Sequence, residues 1–167
     1  PIQGWFAHKN PFDFSSKYEK PDTIYQFAAG TPTVLSMIGV KEGAFLMQQA
    51  SMASVRAKSQ EMSQLFQEAY EAILKPMGYA WGSPQVLSQR GSHVSLQHEE
   101  AWRINQSLIH PTDSSIRPII PDFRPSKSLR IGFTPLYTSF TEVVEVVERL
   151  VNIIENEEYK QHSTDRS

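Results

Sequence analysis

The sequence predicts an α/β domain of the α+β kind, with helices lying on one face of a small mixed or antiparallel sheet. Three observations carry that expectation. Two long segments, Ser51 to Lys75 and Ser139 to Ile154, repeat apolar residues at three- and four-residue steps. Short, partly β-branched stretches lie between them, around Gln85–Leu87, Val94–Gln97, Ile119-Ile120 and Leu129–Phe133. The chain is 167 residues long, with 40% hydrophobic and 20% charged residues, which is ordinary globular composition and enough for one core.

The first thirty residues have no sustained period of 2 or 3.6, yet they carry Trp5, Phe6, Phe12, Phe14, Tyr18, Tyr25 and Phe27. They read as an aromatic loop whose apolar surface must be covered by something, since loops of this length are usually functional or belong to an interface. From Pro32 to Gln49, residues such as Val34, Leu35, Ile38, Phe45 and Leu46 suggest a helical segment broken near Gly39 and Gly43. The helix over Ser51–Lys75 is the clearest: Val55, Met62, Leu65, Phe66, Ala69, Tyr70, Ile73 and Leu74 share a face, and Pro76 and Gly78 end it.

Gln85–Leu87 and Val94–Gln97 alternate, and Arg90-Gly91-Ser92 reads as the turn of a hairpin between them. Glu99 to Ile109 predicts a helix through Ala101, Ile104 and Leu108, followed by polar turn residues from His110 to Ser115. Ile119-Ile120 and Leu129–Phe133 predict two more strands, separated by Pro121 and Pro125. Ser139-Phe140-Thr141-Glu142 has capping-box spacing and opens the last helix. That helix is rich in β-branched valine and isoleucine, so packing on a sheet must hold it. Six acids and one arginine between Thr141 and Glu158 give a local net charge of −5, which predicts a solvated outer face. The polar residues from Asn156 onward predict a frayed tail.

Charge and composition exclude several functions. A formal net charge of −2 gives no field that attracts nucleic acid or an anionic membrane. Without cysteine, disulfides, Cys-ligated zinc, iron–sulfur clusters and a thiol nucleophile are excluded, and no metal site is expected. No apolar run approaches the ~20 residues of a membrane helix, so no membrane partner is expected and the cytoplasm is the expected location. The start at Pro1, without an initiator Met, reads as an interior cut. No Walker loop, Gly-x-Gly-x-x-Gly, His-Glu-x-x-His or Gly-x-Ser-x-Gly is present.

Six ordered blocks go further. They are Gly4-Trp5-Phe6-Ala7-His8, Phe27-Ala28-Ala29-Gly30-Thr31-Pro32, Arg56-Ala57-Lys58-Ser59, Arg90-Gly91-Ser92-His93-Val94-Ser95, Asp122-Phe123-Arg124, and Leu129 to Tyr137. In this order and spacing the chain resembles the C-terminal portion of kynureninase, a fold-type I pyridoxal-phosphate enzyme. The resemblance implies hydrolysis of L-kynurenine or 3-hydroxykynurenine to anthranilate or 3-hydroxyanthranilate plus L-alanine, in tryptophan catabolism and the route to NAD, by a cytoplasmic homodimer. In that chemistry the cofactor is the electron sink and water attacks the substrate's γ-carbonyl. The resemblance also implies a division of the chain. Residues 1–32 are the aromatic end of the cofactor-binding large domain, 33–156 the small domain with its linking helices, and 157–167 a polar tail.

The same resemblance assigns roles to single residues. Trp5 matches a tryptophan whose indole N–H donates to the cofactor phosphate, and indole is a donor only. Thr31 matches a position that touches that phosphate near the substrate ring, at a helix start that favours an anion. Arg130 matches the arginine that holds the substrate α-carboxylate; mid-strand and opposite in face to Leu129 and Ile131, it can project a fork of donors. Phe6 and His8 flank the aromatic substrate, and Arg90 braces the domain. No catalytic residue is expected in the chain, because the Schiff-base lysine and the groups around the pyridine ring belong upstream of Pro1. The chain alone is therefore expected to be inactive, its partner being the missing N-terminal half or a dimer mate. Lys58 is expected on a solvated helix face, not as a substitute lysine. Ala7 stands where the family commonly has glycine.

Two other readings of the residues stay open. The anchors Arg130 and Trp5 also suit a desulfurase or aminotransferase of the same fold, and Trp5–Phe27 suits a non-catalytic domain that binds a protein.

Overall fold

The structure, a computed structural model, describes residues 3–165. The outermost residues of the predicted first and last segments, 1–2 and 166–167, lie outside the described residues. The chain forms two compact units that divide between Gln49 and Ala50.

In the first unit, single 3-10 turns at Trp5–Ala7 and Ile24–Phe27 punctuate the aromatic loop, and helix α1 follows at Val34–Gln49. α1 runs unbroken through Gly39 and Gly43, where sequence predicts a break. Each glycine costs about 1 kcal/mol relative to alanine in a helix interior. None of the α1 residues is buried.

The second unit holds the core. Helix α2, Met52–Ala69, begins at Ser51, whose hydroxyl accepts from the Ser54 amide at 3.1 Å. It continues as a π-turn at Tyr70–Leu74 and a 3-10 turn at Lys75–Met77, then stops at Gly78, whose φ of 92° suits a residue without a Cβ. Strand β1 (Ala80–Trp81), β2 (His93–Gln97), helix α3 (Ala101–Ile109), β3 (Asp122–Arg124), β4 (Ser128–Gly132) and helix α4 (Phe140–Glu155) complete it.

Every sheet pairing is antiparallel, in the order β1-β2-β4-β3. The register sets Val94 opposite Ile131 and Leu96 opposite Leu129, all buried against Met62 and Phe66 of α2, Ile104 and Leu108 of α3, and Leu150 and Ile153 of α4. Because strand side chains alternate, Ser95 and Arg130, also opposite one another, stand on the other face. The α+β arrangement predicted from sequence is the one observed.

Two strand expectations are corrected. Gln85–Leu87 forms no strand; a 3-10 turn occupies Leu87–Gln89, and β2 pairs instead with β1 and β4. Arg90 explains why: buried, it donates to Ser63 O and Oγ, Gln67 Oε1 and Gln85 O, and so draws the loop against α2. Ile119-Ile120 is likewise no strand; the pairing falls two residues later, at Asp122–Arg124.

The tail from Glu158 is not frayed as far as it is described. A 3-10 turn at Glu158–Gln161 docks on α3, with Arg103 Nε donating to Tyr159 O and Trp102 Nε1 donating to Asp165 O. Nor is the acidic stretch wholly solvated. Arg149 and Glu158 are buried together at 2.5 and 2.6 Å, and Arg149 also donates to Ser107 O. The predicted capping box of α4 is present in both directions, Glu142 N to Ser139 Oγ at 3.2 Å and Ser139 N to Glu142 Oε2 at 2.8 Å.

Candidate functional site

Each unit contributes its own set of candidate residues. In the first, Gly4 lies so close to the main chain of Ala29 that the loop bearing Trp5 is pressed onto the loop that leads to Thr31. The Trp5 ring is half exposed and meets Phe6 edge-on with centroids 4.6 Å apart; Phe12 lies 5.9 Å from Trp5. Thr31 is exposed, just ahead of α1. Neither the Trp5 indole N–H nor the Thr31 hydroxyl has a hydrogen-bond partner among the described residues.

His8 is tied into the loop. Its Nε2 donates to Lys17 O at 3.0 Å, and its Nδ1 accepts from the Asn10 amide at 3.0 Å, which assigns the neutral Nε2–H tautomer. With both nitrogens engaged, only the face of the ring is left to meet a ligand. Ala7 is fully buried, and its carbonyl accepts from Tyr18 OH at 3.1 Å. A cleft of ≈ 660 Å³ lies in this unit, lined by Gly4, Trp5, His8, Phe14 and Tyr18 among others, so two predicted site residues share it.

In the second unit, Arg130 projects from β4 on the face away from the core. It is bound by Asp122, its cross-strand partner on β3: Nε donates to Oδ2 at 2.9 Å, and Nη2 donates to the same oxygen. Arg124, two residues along β3 and so on the same face, donates to that oxygen from Nε at 3.1 Å and approaches it with Nη2 at 3.0 Å. These bonds, the one from Arg130 first, hold the Asp122 carboxyl below its ordinary range. Arg130 keeps 38% of its side chain exposed, and its Nη1 has no hydrogen-bond partner among the described residues. The sequence marks Arg130 as a site residue, whereas Asp122 and Arg124 stand in it only as part of a family block, with no role of their own. Their pairing depends on the register of β3 against β4, which no local motif announces.

Lys58 is not on a solvated face. Half-buried, it donates from Nζ to Pro135 O at 2.8 Å and Thr138 O at 2.7 Å, pinning the turn between β4 and α4. A larger cleft of ≈ 750 Å³ lies between residues 116–121 and α4 and contains none of the candidate residues. Among the described residues no cluster of His, Asp and Glu could hold a metal ion, and no helix is long and apolar enough to cross a membrane.

Comparison with known proteins decides the family. The model of the kynureninase C-terminal domain matches residues 55–150, more than half of the chain. The chain belongs to the kynureninase family. A kynureninase of Pseudomonas fluorescens is 35% identical over 161 residues, which cover 96% of this chain and 37% of that protein. Kynureninases of Burkholderia mallei (strain SAVP1) and Burkholderia pseudomallei (strain K96243) are each 32% identical over 160 residues, with the same coverage. The chain thus spans little more than a third of the length of these kynureninases. The matched domain takes in the whole sheet, Arg130 and Asp122; Trp5, Phe6, His8 and Thr31 fall outside it.

Proposed function

We propose that this chain is the C-terminal part of an enzyme that hydrolyses L-kynurenine or 3-hydroxykynurenine to anthranilate or 3-hydroxyanthranilate and L-alanine. It would work in tryptophan catabolism toward NAD, as a cytoplasmic homodimer whose cofactor lysine lies in the part of the family this chain does not span. The observation that carries the reading is Arg130. Within a kynureninase-family domain, a partly exposed guanidinium stands on the face of the sheet away from the core, with Nη1 unpaired among the described residues.

The residues present fit pyridoxal 5'-phosphate in the chemistry of their donors. Trp5 offers an N–H, Thr31 a hydroxyl, and the first turn of α1, which has no acidic residue, the amides that a helix start leaves without intrahelical partners, all donors of the kind a phosphate accepts from. When bound, the cofactor supplies the sink for negative charge at the substrate α-carbon. The chain's own residues bind and orient. Arg130 takes the α-carboxylate through its outer edge, Phe6 and the face of the His8 ring flank the aromatic amine, and Trp5 and Thr31 hold the phosphate. None of them needs to move a proton, in keeping with a catalytic lysine outside this chain.

The test is product release by the complete enzyme loaded with pyridoxal phosphate. Given L-kynurenine, it should yield anthranilate and alanine in equal amounts. The isolated 167 residues should yield neither, and should give no Schiff-base absorbance with the cofactor. Turnover or a Schiff-base band in the isolated chain would contradict the reading.

A further inference from the structure

We propose that Asp122 is a positioning residue for the Arg130 carboxylate clamp, and that Arg124 is the charge that lets the clamp accept a second carboxylate. The proposal rests on the reading of Arg130 above and deepens it.

A strand arginine has four rotatable side-chain bonds, so left alone it would present its fork in many directions and lose that freedom on binding. Asp122 removes part of this cost beforehand. It lies directly across the ladder from Arg130, and its Oδ2 takes both Nε and Nη2, one whole edge of the guanidinium. Two donors on one oxygen fix the guanidinium plane and turn the remaining edge, with Nη1, outward. That edge is the one a carboxylate engages with two parallel bonds.

Asp122 alone would also be an obstacle. An Asp122–Arg130 pair is neutral, and an incoming carboxylate would meet a like charge beside the cation. Arg124 answers this by sharing the same Oδ2 through Nε and Nη2. The three groups together carry +1 when empty and reach neutrality when one substrate carboxylate arrives. The pair is more than a third exposed on both sides, so its Coulomb energy is screened and adds little stability to the fold. Orientation of the clamp is the larger consequence.

The experiment compares L-kynurenine with kynuramine, the amine left when the α-carboxylate is removed, on the complete cofactor-loaded enzyme. In Asp122→Asn, KM for L-kynurenine should rise roughly tenfold while kcat changes less than threefold, and inhibition by kynuramine should be unaltered. Asp122→Glu should recover part of the KM. Arg124→Met, which leaves Asp122 on Arg130, should raise KM in the same selective way and covers the case in which Asp122→Asn fails to fold. An unchanged KM in both variants, with wild-type turnover intact, would overturn the positioning role and leave the proposed function standing. An equal loss for kynurenine and kynuramine would also overturn it, since a general disturbance of the sheet does not discriminate by carboxylate. Absence of turnover in the wild type would sink the functional reading and this inference together.

Discussion

A β-carbon placed on Gly4 would lie 2.0 Å from the carbonyl oxygen of Ala29 and 2.6 Å from both its carbonyl carbon and its Cα. The Gly4 backbone is extended, with φ −154°, so conformational freedom is not what requires glycine. Close approach of two main chains is. Through that approach the turn carrying Trp5 sits against the strand of loop leading to Thr31.

Gly4→Ala should therefore separate the segment bearing Trp5 from the one leading to Thr31, the two proposed above to hold the phosphate. Overpacking of this kind costs about 1–3 kcal/mol, and here the obstacle is main chain, which cannot step aside as a side chain would. In the complete enzyme we expect a lower thermal midpoint and at least a tenfold weaker hold on pyridoxal phosphate, measured by titrating the apoenzyme. Adding Ala29→Gly should not restore either, because the clash is with the carbonyl group. Unchanged cofactor affinity in Gly4→Ala would show that the contact does not organise the phosphate site.

The buried pair Arg149–Glu158 should make stability depend on pH in one direction. The Arg149 guanidinium holds the Glu158 carboxyl below its ordinary value of 4.5. A carboxyl depressed in the folded state contributes stability that is fully present above its unfolded value and is lost as pH falls through the folded one. Urea midpoints should be flat from pH 7 to about pH 5 and fall below it. Removing one partner alone strands a charge and should cost about 3 kcal/mol, limited by how readily the tail undocks from α3. Glu158→Gln should start lower at pH 7 and fall less steeply in acid, whereas a slope parallel to wild type would assign the acid loss to other carboxylates.

Arg90 should not tolerate lysine. Its fork reaches Ser63, Gln67 and Gln85 at once and lies over the Trp81 ring at 5.5 Å. An ammonium is a point charge and cannot span them. We expect Arg90→Lys to cost about 2 kcal/mol, since buried hydrogen bonds to charged groups contribute roughly 1.5–3 kcal/mol each. The thermal midpoint should drop by about 4–8 °C, and no drop would mean that the loop over residues 85–90 is held by other contacts.

The parts of the fold that were legible in the sequence are those fixed by neighbours in the chain. The Ser139–Glu142 capping box spans one helical turn, and the stop after α2 is written in Pro76 and Gly78, so both were found where they are. Local pattern misleads where distant residues decide. Gln85–Leu87 alternates like a strand but is captured by Arg90 reaching to α2, and the two residues of β1 carry too little pattern to be seen. Likewise Glu158, in a stretch that reads as polar tail, is matched to Arg149, a partner nine residues back that only the folded chain brings beside it.

The candidate site divides the same way. The place of Arg130 on the face away from the core is legible from its alternation with the buried Leu129 and Ile131. Asp122 was not legible as its partner, since a carboxylate eight residues away in sequence becomes a neighbour only through antiparallel register. His8 gave no sign in the sequence that Lys17 and Asn10 would take both of its nitrogens.

The central claim, that this domain carries the carboxylate clamp of a kynurenine hydrolase, is tested most directly by kcat/KM for L-kynurenine in Arg130→Met, measured as anthranilate fluorescence in the complete, cofactor-loaded enzyme. Loss of two charge-assisted hydrogen bonds predicts a fall of roughly a hundredfold or more, with the bound cofactor retained. A value equal to wild type would contradict the claim and place the carboxylate site elsewhere.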